Sequence, residues 1–300
     1  MNTDWIAVDW GTSSLRAWAI DATGNTLATA QSPKGMGTLA PEAFESTLLE
    51  LISPWIKNAP QTPVQVIACG MVGARQGWTE AHYAKVPCLP ISATLTKAPT
   101  TDPRIDVHIL PGLSQDTPAD VMRGEETQIA GFQAEFPKFD GVLCLPGTHT
   151  KWAHMSAGEV VSFQSFMTGE LFALLSGHSV LKHSLRDGTW DDAAFDDALS
   201  DTLSRPEKIS AKLFSLRAED LLHGLDGGAA KARLSGLLIG AELAAAKPYW
   251  LGQNVALIGA DGLTDLYARA LKSQGITAQR TDPTHMTLAG LKSARASLLE

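Results

Sequence analysis

The stretch VDWGTSSLRAWAID, residues 8 to 21, sets one carboxylate, Asp9, at the end of an apolar run and follows it with the small polar turn Gly11-Thr12-Ser13-Ser14. Ala7 and Val8 before the turn, and Leu15, Ala17, Trp18 and Ile20 after it, have the composition of strands, so the segment reads as a β-hairpin. A turn of small residues presents backbone N–H groups, and glycine lets a ligand approach the main chain closely. Such a turn makes a donor nest for an anion.

A second segment, VLCLPGTHTKWAHMSAGEVV from Val142, repeats the order of parts when Gly147 is laid over Gly11. Each has an apolar strand, a Gly-Thr turn, a strand with a basic residue (Arg16, Lys151), a Gly-containing turn (Gly24, Gly158) and a third strand. A helical segment follows each unit, near residues 41 and 169, and the shared order points to an internal duplication. Two such turns suit the phosphates of a nucleotide. Asp9 is then placed where Mg²⁺, which keeps several waters beside nucleotide phosphates, takes a protein carboxylate.

Further strand patterns lie at 26 to 32, 64 to 69, 107 to 110 and 254 to 258. Helical patterns lie at about 41 to 53, 124 to 134, 169 to 183, 191 to 203, 207 to 222, 228 to 246, 262 to 273 and 284 to 298. This is an α/β chain. The Pro-, Thr- and Ser-rich stretch from Pro87 to Thr117 is the expected crossing between two lobes.

The 300 residues suffice for two lobes with real cores, and 44% hydrophobic with 19% charged residues is ordinary for a globular protein. A net charge of −8, without a run of Lys or Arg, argues against a nucleic-acid partner. Cys69, Cys88 and Cys144 form no Cys-x-x-Cys pair, which leaves neither a disulfide framework nor a zinc site. The start lacks the pattern of a signal peptide, and the apolar window Leu234 to Ala246 is too short to span a bilayer and carries Glu242, so a cytoplasmic location is expected. That window serves a core or a homodimer interface equally well. No Walker loop, Gly-x-Gly-x-x-Gly turn or Gly-x-Ser-x-Gly elbow competes for a function.

VDWGTSSLRAWAID resembles the first phosphate motif of the sugar kinase, hsp70 and actin superfamily, LCLPGTHTKW its second, and ALIGADGLTDLYARAL (256 to 271) its adenosine motif. Within it, CGMVGARQGWTEAHY (69 to 83), DVMRGEETQIAGF (120 to 132) and LPGTHTKW (145 to 152) together resemble the 2-dehydro-3-deoxygalactonokinases. The resemblance implies a two-lobe actin-like ATPase fold of duplicated ribonuclease H-like βββαβαβα cores, with ATP in an interlobe cleft. It also implies phosphorylation of 2-keto-3-deoxy-galactonate at its 6-hydroxyl. Lobes of about 1 to 112 and 113 to 300 are expected, with the last helix returning to the first. Rival readings are a kinase of the same fold for another sugar or sugar acid, and an ATP-binding regulatory module without transfer chemistry.

On this reading Gly11, Thr12, Ser13, Gly147 and Thr148 meet the phosphates, and Gly259, Ala260 and Leu263 meet the adenosine. In related kinases the base is an Asp in a turn before a helix; Gly124-Glu125-Glu126 occupies that place, making Glu125 the expected base with Asp120 and Glu126 as rivals. Arg75 and Arg123 are the expected clamps for the sugar's carboxylate, with Gln76 and Trp78 beside them; packing explains Trp78 equally well. His149 and His154 do not converge on a metal, and Arg16 and Lys151 read as solvated charge.

Overall fold

The computed structural model describes residues 2–56, 62–91 and 94–298. Its contacts divide the chain into two compact units, one of Met1–Asp140, Met155–Ser162 and Pro283–Glu300, the other of Gly141–His154 and Phe163–Asp282.

The first unit opens with the expected hairpin and third strand: β1 (Trp5–Trp10), β2 (Leu15–Ile20) and β3 (Thr26–Ser32). There follow α1 (Phe44–Ile56), β4 (Val64–Gly70), β5 (Tyr83–Lys85), β6 (Thr96–Lys97), β7 (Ile105–Ile109), β8 (Gly112–Asp116), β9 (Ala119–Met122) and α2 (Glu125–Glu135). One sheet runs in the order β3-β2-β1-β4-β7-β6; β5, β8 and β9 form a small sheet of their own.

Alternation along β1 sends its side chains to two faces, as a strand's pleat requires. Ile6, Val8 and Trp10 pack with Phe44, Leu48 and Ile52 of α1, whereas Trp5 and Ala7 face the second layer. Trp78 joins the first layer, with ring centroids 6.2 Å from Phe44 and 6.3 Å from Trp10.

The second unit carries β10 (Gly141–Leu145), β11 (Thr150–Ser156), β12 (Glu159–Phe166), α3 (Thr168–His178), α4 (Asp192–Ser204), α5 (Ile209–His223), α6 (Gly227–Ala245), α7 (Lys247–Trp250), β13 (Val255–Ile258), α8 (Asp261–Ser273) and β14 (Gln279–Thr281). Its sheet runs β12-β11-β10-β13-β14, repeating the third-second-first-fourth order of the first unit's β3-β2-β1-β4, with one further parallel strand beside the fourth in each. The duplicated core is therefore visible in topology. The tip of the β11–β12 hairpin counts with the first unit, where Val160 pairs with Cys88.

The final helix, α9 (Pro283–Ser297), belongs to the first unit. It lies against α2 at glycine contacts so close that a Cβ on Gly131 would stand 1.9 Å from Met286 O, and one on Gly290 1.9 Å from Thr127 O. Leu291 and Ala294 cover Trp5, Ala7 and Ile67.

A lobe boundary at 112/113 would cut into β8, and the contacts divide after Asp140 instead, so α2 stays with the first unit. The stretch from Pro87 to Thr117 is not a crossing, because β6, β7 and β8 lie in it and build that unit's sheets. The apolar window in α6 is core: Leu234, Leu237, Leu238, Ile239 and Leu243 are buried within the second unit. Among the described residues, no helix is long and apolar enough to cross a membrane.

Candidate active site

In the first unit the carboxyl ends of the parallel strands β1 and β4 come level, with Asp9 beside Cys69 and Trp10 beside Gly70. Gly70 has φ 90°, and a Cβ there would stand 2.8 Å from Trp10 O, so only glycine ends β4 in this way. The N-cap of α2, Gly124, also has positive φ, 105°, and its Cβ position is 3.4 Å from Gly70 Cα. Two bare backbones thus bring the start of α2 to the strand ends that carry Asp9.

Asp9 is not solvated alone. Its Oδ2 accepts from Arg16 Nη2 at 2.5 Å, across the register pair Asp9–Arg16, and its Oδ1 is 3.9 Å from Cys69 Sγ. Arg16 also donates to Thr284 Oγ1 at 2.6 Å and lies over the Trp18 ring, so it is an anchored residue and not the free surface charge expected. Lys151, read the same way, is buried.

At the Gly-Thr turn, the Gly11 amide is spent on Ser14 O, while Gly11 O and Thr12 O accept from the N–H groups of Met36 and Gly37. The tip, Thr12 to Ser14, is exposed. Gly35 backs it so tightly that a Cβ would stand 2.3 Å from Thr12 O.

The three candidate bases separate clearly. Glu125, the first residue of α2, is half-buried and accepts the Arg123 N–H at 3.1 Å. Glu126 is fully buried; Gly124 N–H donates to it at 2.5 Å and the Thr127 hydroxyl at 2.9 Å. Burial, helped by repulsion from Glu125, raises its pKa to about 7. Burial also pushes up the thiol of Cys69, with the charges of Asp9 and Glu126 adding. Asp120 lies in β9 opposite Gln115, on the hairpin rather than at the α2 start.

The expected sugar clamps part company. Arg75 is 81% exposed, with only a 3.5 Å ion pair to Glu80, and Gln76 is exposed beside it. Arg123 is buried: its Nη2 donates to Ala81 O at 2.7 Å, its guanidinium lies 4.3 Å from the centre of the Tyr83 ring, and Nε and Nη1 have no hydrogen-bond partner among the described residues. It lies against Ala81 and Tyr83 of the segment that follows β4. Trp78, in the core beside Phe44, likewise packs and presents no open face.

In the second unit the turn at Gly147-Thr148 has the same backing as the first. Thr148 O accepts from Glu170 N–H at 2.9 Å, and a Cβ on Gly169 would stand 2.2 Å from Gly147 O. His149 is bonded to Glu170 at 2.5 Å, and among the described residues no cluster of three metal-ligating side chains forms. A cavity of about 410 Å³ opens beside this turn, walled by Phe172, Trp190, Leu238, Ile239, Leu263 and Leu266. Its polar lining includes Thr168, Ser235 and Tyr267. Gly259 and Ala260 stand at the end of β13 and the N-cap of α8, whose residues Gly262 and Leu263 line the cavity. A Cβ on Gly259 would be 3.0 Å from Thr264 and 3.2 Å from Pro146 O.

Below the cavity sits a buried carboxylate that the sequence reading used only to exclude a membrane span. Glu242 of α6 accepts from Trp152 Nε1 at 2.8 Å, from the Tyr267 hydroxyl at 2.7 Å and from the Thr168 hydroxyl. Desolvation raises its pKa, while those donors pull the other way. The available signal was one acid inside the apolar run LSGLLIGAELAAA.

A family model described as 2-keto-3-deoxy-galactonokinase matches residues 9–294. A Rhizobium meliloti (strain 1021) protein named a probable 2-dehydro-3-deoxygalactonokinase is 41% identical over 300 residues, 97% of this chain and 96% of its own. The 2-dehydro-3-deoxygalactonokinase of Escherichia coli (strain K12) is 35% identical over 298 residues, 98% of either chain. A crystal structure from Sinorhizobium meliloti, titled with the same enzyme name, superposes with a TM-score of 0.90 at 41% identity, covering 98% of this chain and 99% of that one. With a matched model over nearly its whole length and two relatives above 30% identity, the chain belongs to the 2-keto-3-deoxy-galactonokinase family.

Proposed function

We propose that this chain transfers the γ-phosphoryl group of ATP to the 6-hydroxyl of 2-dehydro-3-deoxy-galactonate and releases ADP. The observation that carries the reading is the cavity beside the Gly147-Thr148 turn, walled by apolar side chains with a few hydroxyls, in a member of a sugar-acid kinase family. Its volume of about 410 Å³ accommodates a nucleoside, with Leu263 in the wall and Gly259 and Ala260 at its edge. The turn backbones of Gly147 and Thr148, and of Thr12 and Ser13, are assigned to phosphate oxygens, with the hydroxyls of Thr12 and Thr148 assisting; the Gly11 amide closes its turn on Ser14 O, and Gly11 leaves room for the phosphate.

Glu125 is assigned as the base. It stands at the positive end of the α2 dipole, which favours a carboxylate, and it is the one acid of the Gly124-Glu125-Glu126 turn that is not buried. As the 6-hydroxyl oxygen bonds to the γ-phosphorus, the bond to the β–γ bridging oxygen breaks and the hydroxyl proton passes to Glu125. Arg75, on an exposed loop with a weak partner, takes the sugar carboxylate by exchanging Glu80 for it, and Gln76 adds a donor. Arg123 and Trp78 shape that loop and do not touch the sugar.

Mg²⁺ fits Asp9. A cation carried on nucleotide phosphates needs only one or two protein carboxylates, and Asp9 supplies one at the strand ends, held in place by Arg16. When bound, Mg²⁺ neutralises charge on the phosphates. The net charge of −8 supports two small molecules and not nucleic acid as partners, and the reaction is assigned to the cytoplasm.

The test is ADP release from Mg-ATP with 2-keto-3-deoxy-galactonate, 2-keto-3-deoxy-gluconate, glycerol, glucose and no acceptor. Turnover with the galactonate compound alone is expected. Turnover with another acceptor would move the substrate assignment, and nucleotide binding without turnover on any acceptor would overturn the transfer.

A further inference from the structure

Glu242 has a consequence for which nucleotides the cavity accepts. The carboxylate is 3% exposed and receives donors from three elements: Trp152 on β11, Thr168 at the start of α3 and Tyr267 on α8. Trp152 Nε1–H can only donate, and it meets Oε1. Both hydroxyls meet Oε2. Thr168 and Tyr267 both donate to Glu242, so their protons point at the carboxylate. Tyr267, its proton so used, can only accept from Thr150, whose Oγ1 is 3.0 Å away and whose hydroxyl also bonds to Glu242. Thr168, half-buried and lining the cavity, turns only lone pairs toward it.

We propose that Glu242, acting through the Thr168 hydroxyl, makes that wall of the cavity an obligate hydrogen-bond acceptor, so that the site selects nucleosides presenting a donor there. The inference rests on the assignment of the cavity to ATP. The donor is either the 6-amino group of adenine or a ribose hydroxyl, both N–H or O–H groups of the same class. Glu242 is a positioning residue, since it reaches the ligand only through Thr168.

The geometry supplies a reversing substitution. In Glu242→Gln the amide oxygen must stay toward Trp152, because an NH₂ group there would face another donor. The two amide hydrogens then point at Thr168 and Tyr267, which accept them. Tyr267 passes its proton to Thr150, and the Thr168 proton is released toward the cavity. The wall changes from acceptor to donor with nearly unchanged shape.

The experiment measures dissociation constants of ATP, inosine triphosphate, 2′-deoxy-ATP and 3′-deoxy-ATP for wild type, Glu242→Gln and Thr168→Val, with thermal melting as a check on folding. Wild type is expected to bind one analogue, the one lacking the relevant donor, about tenfold or more weakly than ATP. Both variants should compress that ratio to about twofold and leave the other two ratios unchanged. Which analogue responds identifies the donor. Equal ratios in all three proteins overturn the proposal, as does a uniform loss of affinity for every nucleotide, which marks a merely structural role. Should Glu242→Gln fail to fold, Thr168→Val alone decides between these outcomes. Binding is the readout, so a protein that binds ATP selectively but transfers nothing would fail the kinase assignment and leave this inference standing.

Discussion

At the scale of single residues, the two neighbouring acids of the α2 start have different environments and so different tests. Glu125→Gln removes the proposed acceptor of the hydroxyl proton without touching the cavity, and should lower kcat about 10²-fold or more with the nucleotide dissociation constant within twofold. An unchanged kcat would place the base elsewhere. Glu126 stays protonated in the fold to about pH 7, while the unfolded chain releases that proton near 4.5. Between those values the unfolded state binds fewer protons than the native one, so stability falls as pH rises from 4.5 toward 7 and is level above. Urea unfolding should show wild type losing about 3 kcal/mol relative to Glu126→Gln across that window. Parallel curves would show that Glu126 ionises normally. The sequence names both acids but not this difference, because local spacing gives a helix start and says nothing of the β4 end packed over Glu126. For the same reason the burial of Arg123 is not visible in sequence: it depends on Ala81 and Tyr83, some forty residues away in the chain.

At the scale of elements, the Gly-Thr hairpins were legible because strand alternation and a Gly turn are local signals, and the backing of each turn was not. Gly35 and Gly169 come from the segments that follow each three-stranded unit, and each presses its backbone on a turn carbonyl. Gly169→Ala puts a methyl 2.2 Å from Gly147 O and must push the second turn away, so ATP affinity should fall about tenfold or more while binding of the sugar acid is kept. Isothermal titration with each ligand separates the two effects, and equal losses for both would count against a local role. The short strands β5, β6, β8 and β9 escaped notice since Pro, Thr and Ser dominate their surroundings and two to five residues give no period to read.

At the scale of the whole molecule, the terminal helix α9 is a structural layer of the first unit. Removing Pro283–Glu300 uncovers Trp5, Ala7 and Ile67 and takes away the buried side chains Met286, Leu291 and Ala294. At about 1.5 to 3 kcal/mol for each large apolar side chain, that loss rivals the 5 to 15 kcal/mol that holds a typical domain together. The truncated chain should lose its cooperative melting transition for the first unit, as differential scanning calorimetry would show; an intact transition would mean that α9 is dispensable. The same threading governs the order of events during synthesis. When translation has reached residue 282, every strand and helix of the second unit has been made, yet the face of the first sheet that carries Trp5, Ala7 and Ile67 still lacks α9. Its apolar side chains must wait for α9, so strands made before the second unit are sealed by a helix made after it, and that face of the first unit stays bare through the whole synthesis of the second.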